Sequence, residues 1–446
     1  MNTLASLKTV TAGVLLWGLV LTARQERIDN VGIRDKGPEA VRIAVPEFRF
    51  ATPGEKTERL AKVFNETLHR DLDFSGNLEI ASPSFYPSGV FANPGDIKAE
   101  EWTKPGIAAR YIAYGSLSLS GTRFIATGRL RDLTGQQDSI ASNFPGHNDE
   151  EESARIAAHN FADRILEQLG FGRGIGRTQI AFASNRNGPK EIYAMEYDGT
   201  NQRRLTTHGS IAIAPRWSPA DDRIAYTVWR DTGQQVAITS SNGERFSFAQ
   251  AGGAANILPN WSPDGKTIVY ASRRDGDYEI YSAGADGSNP RRLTNSRGID
   301  LSPSFNPATG RRIVFVSNRS GTPQIYTMSF DGTDVQRITE DGGDAQNPVY
   351  SPDGKMIAFA WQKPQSGAFD IFLYDTQSLR FIQLTSNSGN NERPTFAPDG
   401  KHIAFQSTRS GTTQIWSMTL DGKKLLQLTT SGGINEGPTW SGFAKP

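Results

Sequence analysis

Few side chains in this 446-residue chain stand where they could do covalent chemistry. The five histidines, His69, His147, His159, His208 and His402, are scattered and show no metal-ligand spacing. No G-x-S-x-G elbow offers a serine nucleophile, no H-E-x-x-H pair offers a zinc site, and no G-x-x-x-x-G-K-[ST] loop offers a phosphate cradle. There is no cysteine, which excludes disulfides, thiol catalysis and thiolate metal sites. His159 falls inside a periodic apolar helix with no partner acid evident nearby in sequence, so a structural role is expected for it. "DGTD" (331–334) and "DGGD" (341–344) could suggest calcium, but they sit where a repeat demands turns and are read as turns. The expectation is a chain without catalytic residues, metal or cofactor.

What recurs instead is a turn. "NWSPDGK" (260–266) returns as "YSPDGK" (350–355) and "FAPDGK" (396–401). Units aligned on their opening proline begin at Pro215, Pro259, Pro303, Pro348, Pro394 and Pro438, a spacing of 44 to 46 residues. That period marks a repeat architecture. The unit 259–294 parses into four short strands separated by Asp-Gly turns, an antiparallel meander of propeller-blade size. The stretch 178–206 has the second to fourth strands but no opening one, and "PTWSGFAKP" (438–446) has only the opening one. Five full units and these two fragments predict a six-bladed β-propeller over 178–446, closed by pairing its last strand with its first, which removes free sheet edges. Trp217, Trp261, Phe305, Tyr350, Phe396 and Trp440 are expected to pack between blades. The unit ending "FSFAQ" and the one lengthened by "QKPQSGAF" depart from the repeat.

Ahead of the propeller the pattern changes. "VRIAVPEF" (41–48) reads as a strand, and Leu60, Val63, Phe64, Leu68 and Leu72 fall at helical spacing. "YIAYGSLSLS" and "RFIATGRL" read as a hairpin, with "QDSIASNF" as a third strand. Ala154, Ala157, Ala158, Phe161, Ile165 and Leu169 mark a second helix, with Asn148 or Asp149 as its cap and Gly170 as its end. The prediction is a small α/β domain over 41–170, joined to the propeller by a glycine-rich hinge, "GFGRGIGR" (171–177 within it), whose glycines keep the backbone loose.

The first residues, 1–23, carry Lys8, an apolar run from Val10 to Leu21 and then Ala23, the pattern of a secretory signal; a retained amphipathic anchor is the alternative. No later segment reads as membrane-spanning. Lys+Arg is 48 and Asp+Glu is 47, so no basic field favours nucleic acid or anionic lipid. Residues 24–40 are polar and charged; Ile28, Val31 and Ile33 lie near alternation, so with Arg27 they could add as an edge strand to the first domain or to a partner sheet. The competing reading is a plain linker.

In a propeller of this kind the crossings from each outermost strand to the next opening proline gather on one face. They read "HGSIAIA", "AGGAANIL", "SRGIDLS", "DGGDAQN", "NSGNNER" and "SGGINEG". The blade cores repeat and these loops do not, as expected if the loops carry recognition. The candidate mouth residues are Asn256, Leu258, Asp300, Leu301, Gln346, Asn347, Asn391, Glu392, Arg393, Asn435 and Glu436.

Blades written "P-x-W-S-P-D-G-K-x-I-A-F-x-S-x-R-x-G-x-x-Q-I-Y", a secretory leader and a small α/β domain together resemble the TolB family of Gram-negative envelopes. "DLDFSGNLEI", "YGSLSLSGTRFIATGRLRDLTG" and "HNFADRILEQLGFGRGIGRTQIAF" resemble that family's first domain in order and spacing. The resemblance implies a periplasmic, non-enzymatic adaptor of the Tol–Pal system that supports outer-membrane integrity and constriction at cell division. It implies that the propeller mouth binds the peptidoglycan-associated lipoprotein Pal, and that the N-terminal segment binds TolA. A monomer with no direct membrane insertion is expected. Two rival classes stay open: a hydrolase of propeller type, for which no α/β-hydrolase segment is found, and a module binding a small ligand or glycan in its funnel.

Overall fold

The computed structural model describes residues 41–443, apart from 136, 250–253, 341, 365 and 431, together with the backbone of Ile28–Asn30. The expected secretory leader and most of the 24–40 segment, including Arg27, Val31 and Ile33, lie outside the described residues.

The first domain is a mixed sheet with two helices on one face. Its strands run in the order Leu78–Ile80, Val41–Ala44, Tyr111–Ser120, Arg123–Asp132 and Asp138–Pro145, and Arg49–Phe50 pairs with the central strand beyond Val41–Ala44. The helices Glu55–Phe74 and Glu151–Gln168 bury Leu60, Phe64, Leu68, Phe161 and Ile165 against it. Gly128 makes that approach possible, because a Cβ there would sit 2.7 Å from the Phe161 ring. The predicted strand 41–48 is cut short. Pro46 has no N–H to give a ladder, and Asn65 takes over both backbone groups of Phe48, accepting its N–H at 2.8 Å and donating to its carbonyl at 2.9 Å. The second helix begins without a side-chain cap of its own; Asn148 instead accepts from the Glu150 N–H at 3.2 Å and the Ser153 hydroxyl at 2.7 Å. The opposite face of the sheet is covered by the segment around the buried Trp102, which meets Tyr86 and Phe91 edge-on.

Six four-stranded antiparallel sheets follow, arranged as a propeller. The inner strands are Ala212–Trp217, Asn256–Trp261, Asp300–Phe305, Asp344–Tyr350, Asn391–Phe396 and, closing the ring, Asn435–Trp440. The last of these pairs with Gln179–Ser184, with Asn435 opposite Ser184 and Trp440 opposite Ile180. Blades are numbered from this closed one. Trp261 packs on Ala225, Val236 and Ile238 of the blade before it, and Trp440 on Ala397 and Ile415, as expected of the repeated aromatic.

The repeated turn is built by its own side chains. In Ser262–Gly265 the Ser262 hydroxyl donates to Asp264 at 2.6 Å and accepts from the Thr267 N–H at 2.9 Å, and Gly265 takes a left-handed φ of 66°. Ser351 and Asp353 repeat the arrangement. "DGTD" is likewise a turn, in which Asp331 accepts from the Thr333 N–H at 3.0 Å.

A second device explains the "LT" that ends most units. In the fourth unit of the ring, Gln336–Arg337 is followed by Thr339, whose hydroxyl donates to Gln324 at 2.6 Å and accepts from the Ile325 N–H at 3.0 Å. Thr206, Thr294, Thr385 and Thr429 do the same toward Glu191, Glu279, Asp370 and Gln414. Each clamp satisfies a buried acid or amide and fixes the outer strand to the third. Blade two, whose unit ends "FSFAQ", has no threonine to make it, and its outer strand Arg245–Phe246 is exposed.

The three N-terminal residues Ile28–Asn30 add in parallel to the outer edge of blade five, opposite Phe381–Gln383. The segment therefore joins the propeller and not the first domain.

Candidate functional site

An inner strand descends from the face where the crossings gather, and its first three positions set the mouth. The first position is buried in every blade: Ala212, Asn256, Asp300, Ala345, Asn391 and Asn435. Four of these are predicted mouth residues, and burial removes them from the surface. They are posts that hold the strand start. Asp300 accepts from Arg319 at 2.9 Å. Asn391 accepts from Arg409 at 2.9 Å and Ser407 at 2.8 Å and donates to Asp370 at 3.1 Å. Asn435 accepts from Arg186 at 2.9 Å and donates to Gln414 at 2.8 Å. Asn256 donates to the Ala254 carbonyl at 3.1 Å. Arg186, Arg319 and Arg409 come from the turns after the second strands, which share this face and which the sequence reading did not include.

The third position has a backbone feature invisible in the pattern. Ala214, Leu258, Ser302, Asn347, Arg393 and Gly437 all have φ between 51° and 61°, each directly before the blade proline. The ladder to the second strand shifts register at the same place in all six blades. A left-handed non-glycine residue costs about 1–2 kcal/mol, and the residue before proline normally stays extended. The six-fold bulge thus turns the third side chain out of the sheet and toward the channel.

The second and third positions give the mouth two unlike halves. Blades two to four present Ile213, Ala214, Ile257, Leu258 and Leu301. Blades five, six and one present Gln346, Asn347, Glu392, Arg393 and Glu436, all partly exposed. Glu436 is tied to Lys190 at 2.7 Å, and Glu392 accepts from Gln406 at 3.3 Å. Around the rim, Ile211, Ile299 and Ile434 are exposed at 42%, 38% and 37% of their surface. These three isoleucines were missed as individual residues, although each stands one place before an inner strand. Exposed apolar side chains on a polar rim are a recognition signal.

The first domain sits at the other end, on the turns of blades six and one. His402 faces the Phe74 carbonyl at 2.7 Å and Asp399 at 2.6 Å. Arg70 pairs with Asp198, Lys424 with Asp73 at 2.6 Å, and Tyr197 donates to Asp71. Asp71 also meets His159, the acid partner that sequence proximity could not supply. Burial and then the Asp71 charge hold the Tyr197 phenol well above its ordinary value. The glycine-rich joint is packed here: Ile175 is buried, and a Cβ on Gly174 would lie 2.0 Å from Asp163 Oδ1. Its glycines allow close approach where looseness was expected. Beneath blade turns carrying Pro219, Pro263, Pro307, Pro352 and Pro398, the channel opens into a cavity of about 880 Å³.

Among the described residues no group of three or more His, Asp and Glu is placed to hold a metal ion, and no helix is long and apolar enough to cross a membrane.

Comparison with known proteins follows this architecture. The model of the TolB beta propeller domain matches residues 166–366 and 343–445, and that of the TolB amino-terminal domain matches residues 29–139. The protein TolB homolog of Chlorobium chlorochromatii (strain CaD3) is 31% identical over 308 residues, covering 67% of this chain and 67% of that one. The Tol-Pal system protein TolB of Desulfosudis oleivorans is 33% identical over 274 residues, covering 60% and 61%. The crystal structure of TolB from Acinetobacter baumannii aligns over 90% of this chain and 96% of its own, with a TM-score of 0.77 at 24% identity, an agreement in fold.

Proposed function

The chain belongs to the TolB family, and on that premise we propose that it is a periplasmic adaptor of the Tol–Pal system that works by binding and not by catalysis. In this reading the propeller mouth takes the peptidoglycan-associated lipoprotein, Pal, and the segment 24–40 takes TolA. The pair of contacts would serve outer-membrane integrity and constriction at division.

The observation that carries the reading is the division of labour between the two ends of the propeller. The end facing away from the first domain has a non-repeating, half-apolar and half-charged mouth with three exposed isoleucines. The blades behind it repeat, so recognition residues can vary without touching the core. The pairing of Ile28–Asn30 with blade five spans three residues, short enough for a partner strand to displace.

The test is capture of the purified soluble part of Pal. Replacing Ile211, Ile299 and Ile434 together by serine is expected to weaken capture at least about tenfold, the scale of central hot-spot loss, with an unchanged Tm. Replacing the buried Asn391 by alanine is expected to lower the Tm. Unchanged capture by the triple variant moves the site off the mouth.

A further inference from the structure

We propose that the propeller channel binds a carboxylate between Arg216 and Arg393. Arg216 occupies the fifth position of the inner strand of blade two and lines the channel cavity. Its one hydrogen bond to a described residue goes from Nη1 to the carbonyl of its neighbour Pro215, at 2.9 Å. Arg393 stands on the left-handed bulge of blade six, and its side chain crosses the mouth of blade one. A Cβ on Gly437 would lie 3.3 Å from Arg393 Nη1 and 4.0 Å from Ala214 of blade two. The guanidinium of blade six therefore reaches toward the strand that carries Arg216. Among the described residues neither arginine has a carboxylate partner, although arginines elsewhere on the blades do.

The surroundings supply donors and no acid. Asn260, Ser304, Thr395 and Thr439 hold the same strand position as Arg216 in other blades. Thr395 and Thr439 accept the N–H of Trp440 and Trp217 at 3.3 and 3.1 Å, and among the described residues neither donates. Asn260 likewise accepts from the Phe305 N–H at 3.2 Å. Their remaining O–H and N–H groups are available to an oxyanion. Two cations that repel each other in a half-buried channel are unfavourable until an anion joins them. The planar guanidinium fork suits a carboxylate, by two parallel N–H···O bonds. Burial, and then the Arg393 charge, push Arg216 down to about 10, consistent with an unpaired cation.

The probe is malonate, with the neutral malonamide as control, titrated calorimetrically into the full chain in chloride buffer. Malonate is expected to bind and to raise the Tm, and malonamide is not. Arg216→Gln and Arg393→Gln are each expected to weaken malonate about tenfold or more, the scale of a charge-assisted bidentate pair. Arg216→Gln is also expected to raise the Tm of the anion-free protein, a gain that a misfolded variant would not show, and Arg216→Lys is expected to retain part of the affinity. Equal responses to malonate and malonamide, or full affinity in both glutamine variants, overturn the site. The carboxylate could be free or could belong to an acidic side chain of the protein seated in the mouth, and the latter source rests on the proposed Pal site. Competition between malonate and soluble Pal identifies the side chain; malonate binding without competition identifies a free anion. The channel site thus stands or falls on the malonate titration, whether or not Pal is captured.

Discussion

Asp71 and His159 lie 88 positions apart and meet at 2.6 Å, Oδ2 to Nδ1, with both side chains buried. The other Asp71 oxygen accepts the hydroxyl of Tyr197, which belongs to the propeller. One carboxylate therefore links both helices of the first domain to blade one. Tyr197→Phe leaves that oxygen buried without a donor, a loss of about 1–3 kcal/mol. The expected outcome is a lower Tm and faster proteolysis within 171–177. An unchanged Tm and cleavage rate would show that the contact does not hold the joint.

The same cluster makes stability depend on pH. Burial opposes the charge on His159, but Asp71 outweighs it and holds the imidazole above its usual 6.5. Its contribution is complete below the unfolded value and is lost as pH rises through the native one. Burial, and then the Asp71 charge, push Asp163 from 3.8 up to about 7. The native state then keeps a proton that the unfolded chain releases, so stability declines between those two values. Both groups act in one direction, and the Tm is expected to fall as pH climbs from about 4 to about 8. Asp163→Asn, which keeps an acceptor for the Gly176 N–H, should flatten the acidic part of that slope. A Tm profile with the same slope in the variant would assign it to other groups.

Ring closure rests on Trp440, which is buried against blades six and one and donates from Nε1 to Thr178 at 2.8 Å. Trp440→Ala is expected to cost about 3–5 kcal/mol. Hydrogen exchange should rise first in Gln179–Ser184, the strand that the last one covers. Uniform acceleration over all blades would mean that closure is not the weak point.

The threonine clamps can be removed one at a time. Thr294→Val keeps the shape but strands Glu279 and the Ile280 N–H, which the hydroxyl now serves at 2.5 and 2.8 Å. A loss of about 1–3 kcal/mol is expected, read as a shift in the denaturant midpoint. A shift near zero would leave Arg292, which also reaches Glu279 at 2.9 Å, as the sufficient partner.

Deleting residues 24–35 removes the Ile28–Asn30 pairing with blade five. Under the proposed function, binding to TolA is lost while Pal capture and Tm are retained. Equal capture of both partners by the shortened chain would reduce the segment to a linker.

The blades, their count and the closure of the ring were legible because each is a local pattern repeated at a fixed interval. A Ser-Pro-Asp-Gly turn satisfies itself within five residues, as Ser262 and Asp264 do, so its sequence carries its structure. The helices of the first domain were legible for the same reason, since spacing alone sets which side chains share a face. The strand 41–48 was misread where a distant side chain, Asn65, captured the backbone of Phe48.

The site divides in the same way. That the crossings share one face follows from strand alternation, which the sequence by itself determines. Which of their residues meet solvent does not follow from it. Asn391 and Glu392 are neighbours of similar polarity, yet one is buried on Arg409 and the other faces the mouth, because a strand alternates sides and a second-strand arginine claims one of them. The left-handed turn at Arg393, its reach over Gly437 toward Arg216, and the meeting of Asp71 with His159 were decided only by the tertiary structure. Each depends on the closed ring or the docked domain bringing together residues that no local period connects.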